Sequence, residues 1–431
     1  MLTRLKLILP VLLIFVAGQP LRGEGEAPRV RIGLVRGVAS VGVSAAQGAT
    51  VMFSPGGSPL NLPPEEVCQA QAGPGGVKLV RADGSEVGGL YQQITLTPSP
   101  EATTTVHGVP GHWDKRTDRD YHGVIEIRAN SSGALTVINV VDIETYLRGV
   151  VPSEMPYTYP LAALQAQAVA ARGQAIMKAS RHEAEGFGLC NGPHCQVYGG
   201  ATSESPATDE AVSSTRGEVL VYEGQLADTL YSSNCGGHTA NNEDYWSEAM
   251  PSPYLRGVAD YEPEDDVPYA FPLSEAETGQ FLKYAPRVNC NQPKYAKTDK
   301  IRWWKLLSKD ELAKQLTDVA GDFGELLGVQ IVKRAASGMV TKLAIVGSKR
   351  PVVVEGGAKV RRAMGVDSPS FAIEAIKGKD DLPIAFVVWG AGWGHQVGMC
   401  QVGAAGLADK GWDYRRILAK YYAGTAVERR Y

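Results

Sequence analysis

After Gly18 the chain has no apolar run approaching the roughly 20 residues that a bilayer-spanning helix needs, which excludes a multi-span membrane protein. It also lacks an excess of either charge. Its 43 basic and 46 acidic residues leave a net charge of −3, so no general field draws in polyanions and nucleic acid is excluded as a partner. No Cys closely follows the N-terminal apolar segment, which argues against a lipidated anchor. The Gly-dense segment near the C-terminus has neither the Gly-Lys-Ser/Thr ending of a phosphate loop nor the GxGxxG spacing of a dinucleotide site.

What is present fits an exported, loop-rich protein. Arg4 and Lys6 precede an apolar run from Leu7 to Val16 that ends in Ala17 and Gly18, the layout of a signal peptide. Residues 1–18 are therefore expected to be a cleaved leader, with an uncleaved membrane anchor as the minor alternative, and the protein to reach the periplasm or cell wall. A length of 431 residues, at roughly 100–200 residues per domain, gives two or three domains. The 49 Gly and 26 Pro among 44% hydrophobic residues mean many turns rather than disorder.

Along the chain, VRIGLV and VKLV begin a series of short alternating segments that makes residues 29–120 a β-rich N-terminal region. Its last part, Pro98 to Arg119, is polar and reads as an exposed connection. Residues 121–260 open with a hairpin, VIEIRA and ALTVINVV around NSSG. Asp142 then caps a short helix, IETYLRGVV, that runs directly into Glu154. After Pro160 comes the strongest helical segment, LAALQAQAVAARGQAIMKASRH, whose stripe is mostly Ala and so implies close packing. Residues 261–383 read as an α+β stretch with a capping box at Ser308 and Glu311. Residues 384–431 hold the strand IAFVVW, the loop GAGWGHQVG and a final helix capped by Asp413 and ended by Gly424. The fold class is α+β, mixed strands and helices forming a two-lobed body with a substrate groove, preceded by the β-rich region.

Several clusters carry chemistry. Glu154 sits in GVVPSEMP among apolar neighbours. Desolvation there would raise its pKa and let it donate a proton near neutral pH, as glycoside cleavage requires, whereas a surface Glu before a helix needs no function. Gln165 and Arg172, seven residues apart, share a helix face and are candidates for lining a groove, or for a solvated polar face. His182, Cys190, His194 and Cys195 form a complete tetrahedral zinc set with no open position; a Cys190–Cys195 disulfide is the alternative. His395, ringed by Gly390, Gly392, Gly394 and Gly398, sits in a loop suited to shaping a cleft. A triad of Ser233, His238 and Asp244 would make a hydrolase of another class, which their order alone does not support.

Taken in order, YLRGVVPSEMP, LQAQAVAARGQA, CNGPHCQVYGG, SSNCGGHT, GWGHQVGMCQVGA and ILAKYYAGT resemble the stage II sporulation protein D and amidase-enhancer family of bacterial wall proteins, from about Tyr121 to Thr425. The resemblance implies a peptidoglycan lytic transglycosylase with Glu154 as the general acid/base. Such an enzyme is expected to cleave glycan strands between N-acetylmuramic acid and N-acetylglucosamine and to leave a 1,6-anhydro product. It also implies zinc at His182, Cys190, His194 and Cys195, and a substrate groove near Tyr198, Gly236, Gly237, His395 and Gln401. The rival reading within the same family is a non-catalytic glycan-binding module that stimulates an N-acetylmuramoyl-L-alanine amidase. Three positions depart from the family pattern: Gly173 where Thr is common, Gln396 where Gly is usual and Cys400 where Ser is usual.

Overall fold

The alternating segments that begin at Arg29 build two sheets over one apolar core. The structure is a computed structural model that describes residues 25–111, 116–130 and 132–431; the leader read in residues 1–18 lies outside them. One sheet has six strands, ordered Arg116–Tyr121, Thr104–Pro110, Ser40–Ala45, Cys68–Gly73, Gly76–Arg81 and Glu86–Tyr91. The other has seven, ordered Leu189–Cys190, Arg29–Val38, Leu135–Asp142, Val124–Ala129, Gln93–Pro98, Ala49–Ser54 and Leu60–Leu62. The strand Ala49–Ser54 shows why: Ala49, Val51 and Phe53 point inward and alternate with exposed neighbours. Burying a Val or Phe side chain contributes roughly 1.5–3 kcal/mol.

Two readings of this region change. The polar stretch Pro98 to Arg119 is not a bare connection, because Thr104–Pro110 pairs antiparallel with both Arg116–Tyr121 and Ser40–Ala45. Its Val106 and Val109 are buried while Thr105 and His107 are half-buried and bond to Asp120 and Asp118 of the edge strand, the pattern of strands near a sheet edge. The seven-stranded sheet also draws strands from either side of residue 120, so the β-rich body does not end there and includes both strands of the hairpin. Its first strand even pairs in parallel with Leu189–Cys190, Gly33 opposite Cys190, and thereby clamps the Cys/His segment.

Asp142 ends the hairpin and caps helix α1, Ile143–Glu154, accepting from the N–H groups of Glu144 and Thr145 at 3.0 and 3.1 Å. Helix α2, Leu161–Met177, is the Ala-rich segment, and most of its residues are buried. It packs against α1, the helices Pro206–Ser214, Gln401–Asp409 and Tyr414–Tyr421, and the strand Glu218–Tyr222. Small side chains permit that many close neighbours. A Cβ on Gly173 would meet the Thr229 hydroxyl at 2.8 Å, which accounts for Gly where Thr is common.

A second apolar core lies in residues 303–388, around Trp303, Leu316, Leu343, Phe371 and Phe386. It is formed by the sheet Arg302–Ser308, Pro383–Ala391, Phe371–Lys377, by the sheet Leu326–Arg334, Val340–Gly347, Val352–Glu355, and by two helices. One of these, Lys309–Ala320, starts at the expected capping box, with Ser308 and Glu311 exchanging hydrogen bonds. The strand Pro383–Ala391 then returns the chain to the first body at the loop holding His395. This second core is the other lobe.

Arg172 lies at the heart of the first body and lines no groove. It is fully buried and donates from Nε and an Nη to the two carboxylate oxygens of Glu144 at 2.8 and 2.7 Å, with a further bond to the Glu218 carbonyl. The pair ties α2 to the start of α1. Removing one member of a buried ion pair strands the other, so Arg172→Ala is expected to lower stability by about 3–5 kcal/mol. Urea denaturation of the full chain checks this; an unchanged midpoint would contradict it.

Candidate active site and metal-ligating clusters

Glu154 is the last residue of α1, and its carboxyl forms part of the wall of a cavity of about 640 Å³. The N–H of Val197 donates to its Oε1 at 2.7 Å. The neighbouring Tyr231 hydroxyl receives a bond from Gln196 at 3.0 Å, which leaves its own proton free for Glu154. Burial outweighs these groups and the charge of Lys178, and raises the Glu154 pKa from 4.5 to about 7. The negative end of the α1 dipole acts in the same direction. A carboxyl with that value is about half protonated at neutral pH, and so can both give and take a proton there.

The cavity wall brings together Gln174, Lys178 and Arg181 from the end of α2 and beyond, His194 and Cys195, then Asp228, Tyr231 and Ser233, then Asn242, Trp246 and His395. His395 accepts from the N–H of Val397 on its Nδ1 at 3.0 Å, and burial lowers its pKa to about 4, so the ring is neutral. Trp246 tilts over it at 5.4 Å between ring centres. Asp228 is a second carboxylate in this wall, held by the side-chain amide of Gln174. The sequence reading missed Gln174, Lys178, Arg181 and Asp228. A usable signal was there: Gln174 and Lys178 stand four apart on the helix that leads directly into the Cys/His segment, and so share a face.

Of the residues expected in the groove, His395 is there and the others are not. Gln165 donates to Ser214 on the neighbouring helix at 3.0 Å, and Arg172 is engaged with Glu144. Tyr198 is buried behind α1, bonded to Asn139 at 2.8 Å and packed at a tilt against Tyr146, 4.8 Å between ring centres. Gly236 and Gly237 make a tight turn with φ of 74° and 117°, where a Cβ would strike Ala391 and Phe281. Gln401 donates to the backbone carbonyl of Glu154 at 3.0 Å and to Gln167 at 3.2 Å, supporting the Glu from behind. Ser233 faces the cavity, but His238 is buried elsewhere, held by the Thr239 carbonyl at 2.6 Å and packed on Phe271, so no Ser-His-Asp triad forms.

His182, Cys190, His194 and Cys195 do converge, with one donor atom from each within 4.8 Å of the rest. His194 Nδ1 is 3.2 Å from His182 Nε2 and 3.9 and 3.8 Å from the two sulfurs. A disulfide would not draw both imidazoles to the same point. Glu185 binds the remaining nitrogen of His182 at 2.6 Å, the orienting contact that metal-bound imidazoles usually have. Cys195 stands two residues before Val197, so this cluster fixes the loop whose N–H reaches Glu154. The four side chains fit a closed tetrahedral metal site.

A second cluster, Cys235, Asp260, Cys290 and Cys400, lies deeper and outside the cavity wall.

Comparison with known proteins gives two family matches, one described as Stage II sporulation protein over residues 131–222 and one as a domain of unknown function over residues 240–398. An uncharacterized protein of Brachyspira hyodysenteriae is 31% identical over 295 residues, 68% of this chain and 68% of the relative. The amidase enhancer of Bacillus subtilis is 28% identical over 65% of this chain and 40% of its own length. Stage II sporulation protein D of the same organism is 28% identical over 67% and 74%. The first match carries Glu154 and the Cys/His cluster, and the second carries Trp246 and His395, so the cavity needs both segments.

The raised pKa has a stability signature. Between 4.5 and about 7 the folded Glu154 holds its proton while the unfolded chain releases it, so this group's contribution to stability falls as pH rises and stays lost above 7. Glu154→Gln cannot titrate. Its stability relative to wild type is therefore expected to rise by about 2 kcal/mol between about pH 5 and about pH 8 in urea titrations. Comparing the two chains cancels other groups, and a difference independent of pH would contradict the assignment.

Proposed function

The chain belongs to the stage II sporulation protein D and amidase-enhancer family and has a cell-wall-related role, and from that premise we propose that it is an exported lytic transglycosylase cutting peptidoglycan glycan strands. The observation that carries this reading is Glu154, an acid with a pKa of about 7 on the wall of a sugar-sized cavity. In the proposed reaction the Glu154 proton passes to the glycosidic oxygen leaving C1 of N-acetylmuramic acid, and an oxocarbenium-like state develops. The resulting carboxylate takes the proton of the same sugar's C6 hydroxyl, whose oxygen bonds to C1 and closes the 1,6-anhydro ring. Glu154 ends protonated, as it began.

One carboxyl group then does the work that two share in ordinary glycosidases. Asp228 is a sugar-binding group in this scheme and not a nucleophile, consistent with its hold by Gln174. The Trp246 ring offers an apolar face for a sugar, and Lys178 and Arg181 offer donors. At His182, Cys190, His194 and Cys195 the proposed cofactor is a structural zinc. Bound there, it supplies no chemistry to the reaction and holds the loop that carries Val197.

A second reading has one specific observation behind it, the likeness to a protein named amidase enhancer. In it the same cavity binds glycan without cutting and stimulates a cell-wall amidase.

Digestion of peptide-free glycan separates the two. Wild type is expected to release 1,6-anhydro ends, seen by mass, and Glu154→Gln to release at least about 100-fold fewer. Absence of such ends with wild type, while both chains accelerate an amidase equally, would sink the transglycosylase and leave the enhancer. For the cofactor, Cys190→Ser is expected to lose about one zinc per chain in elemental analysis, together with thermal stability. A stable wild type with no metal at this cluster would contradict the zinc.

A further inference from the structure

Six cysteines are present, and two of them belong to the cluster beside the cavity. Cys68 stands apart in the core of the β-rich body. The remaining three come together from distant parts of the chain, and no step of the proposed reaction uses them. Cys235 lies in the turn that includes Gly236 and Gly237. Cys290 lies in the single turn Asn289–Asn291, and Cys400 ends the strand Met399–Cys400 where it caps the helix Gln401–Asp409. Asp260 completes the group. All four are at most 2% exposed, and one donor atom from each lies within 4.8 Å of the other three.

The spacing discriminates between possible roles. The Cys235 and Cys290 sulfurs are 3.8 Å apart. A disulfide needs about 2.05 Å, whereas two thiolates at about 2.3 Å from one tetrahedral ion stand about 3.8 Å from each other. One disulfide among three thiols would also strand the third in the core.

The surroundings are those of bound ligands. The Cys400 sulfur accepts N–H bonds from Cys235 and Gly403 at 3.2 and 3.3 Å, which favours a thiolate. Asp260 accepts from the Cys290 N–H and from the Tyr421 hydroxyl, both at 2.6 Å, which orients the carboxylate and leaves each oxygen with a free lone pair. Arg302, anchored on the carbonyls of Gly236 and Phe281, brings a positive charge beside Cys235 and Cys290.

We propose that Cys235, Asp260, Cys290 and Cys400 bind a second, structural zinc ion behind the active centre. Three soft sulfurs and one carboxylate oxygen in tetrahedral reach suit zinc and leave no position for substrate. The ion joins four segments of the chain. One of them begins the helix whose first residue, Gln401, supports the backbone of Glu154. The site exists in this chain because Cys stands at position 400, where Ser would still cap the helix but would give a poorer ligand.

Native mass spectrometry of the full chain, purified with zinc present, tests this independently of activity. Wild type is expected to carry about two zinc ions, Cys400→Ser about one, Cys190→Ser about one and the double variant none. A wild type with about one zinc, or with two that Cys400→Ser leaves in place, overturns the proposal. So does a Cys235–Cys290 disulfide in the peptide map of the unreduced protein. Should Cys400→Ser not fold, cobalt-loaded wild type decides. Its thiolate-to-metal charge-transfer band is expected to count five thiolates, and an intensity for only the two of Cys190 and Cys195 overturns the second site.

Discussion

A carboxyl group kept from bulk water by the packing around it, and met there by the Val197 N–H, is the constraint on which the rest of this molecule turns. Glu154 closes α1, so its position depends on the Asp142 cap that starts the helix and on the Val197 amide that meets it at the other end. That amide is held by the Cys/His cluster, and the cluster by a strand pairing with the first strand of the β-rich body. Behind Glu154, Gln401 fixes the backbone carbonyl. A more solvated Glu would be an anion at neutral pH, and a more deeply buried one would never meet substrate.

The Ala stripe of α2 serves the same end. It allows α1, two C-terminal helices and the strand Glu218–Tyr222 to approach one helix closely. The buried pair Arg172–Glu144 fixes the register of that packing, with Gly217 and Tyr431 also donating to Glu144. The second lobe delivers the His395 loop against Trp246 and so completes the wall facing Glu154.

Much of the fold was legible in the sequence wherever its cause is local. The Asp142 and Asp413 caps, the Ser308–Glu311 capping box and the hairpin around NSSG depend on residues a few positions apart, and they stand where the pattern put them. The polar strands at and next to the sheet edge before Tyr121 were not legible, because a strand with one solvated face resembles a loop in composition. The site was legible in part for a related reason. Motif order pointed to Glu154 and to the Cys/His set, but it could not say which motif residues touch the cavity and which hold it up. Arg172, Tyr198, Gly236, Gly237 and Gln401 all belong to the second kind. Asp228 faces the cavity through tertiary packing that no short motif encodes. The departures at Gly173 and Gln396 have packing reasons: Gly173 spares the Thr229 hydroxyl, and the Gln396 side chain bonds Ser370 and the carbonyls of Cys235 and Ala391.

The central claim is that Glu154 keeps a large share of its proton near neutral pH in the folded chain, where an ordinary Glu is fully ionised. Carbon-13 NMR of the side-chain carboxyl, assigned by its absence in Glu154→Gln, reads that proton directly. A titration midpoint of about 7 is expected; a midpoint at the ordinary glutamate value of about 4.3 would contradict the claim.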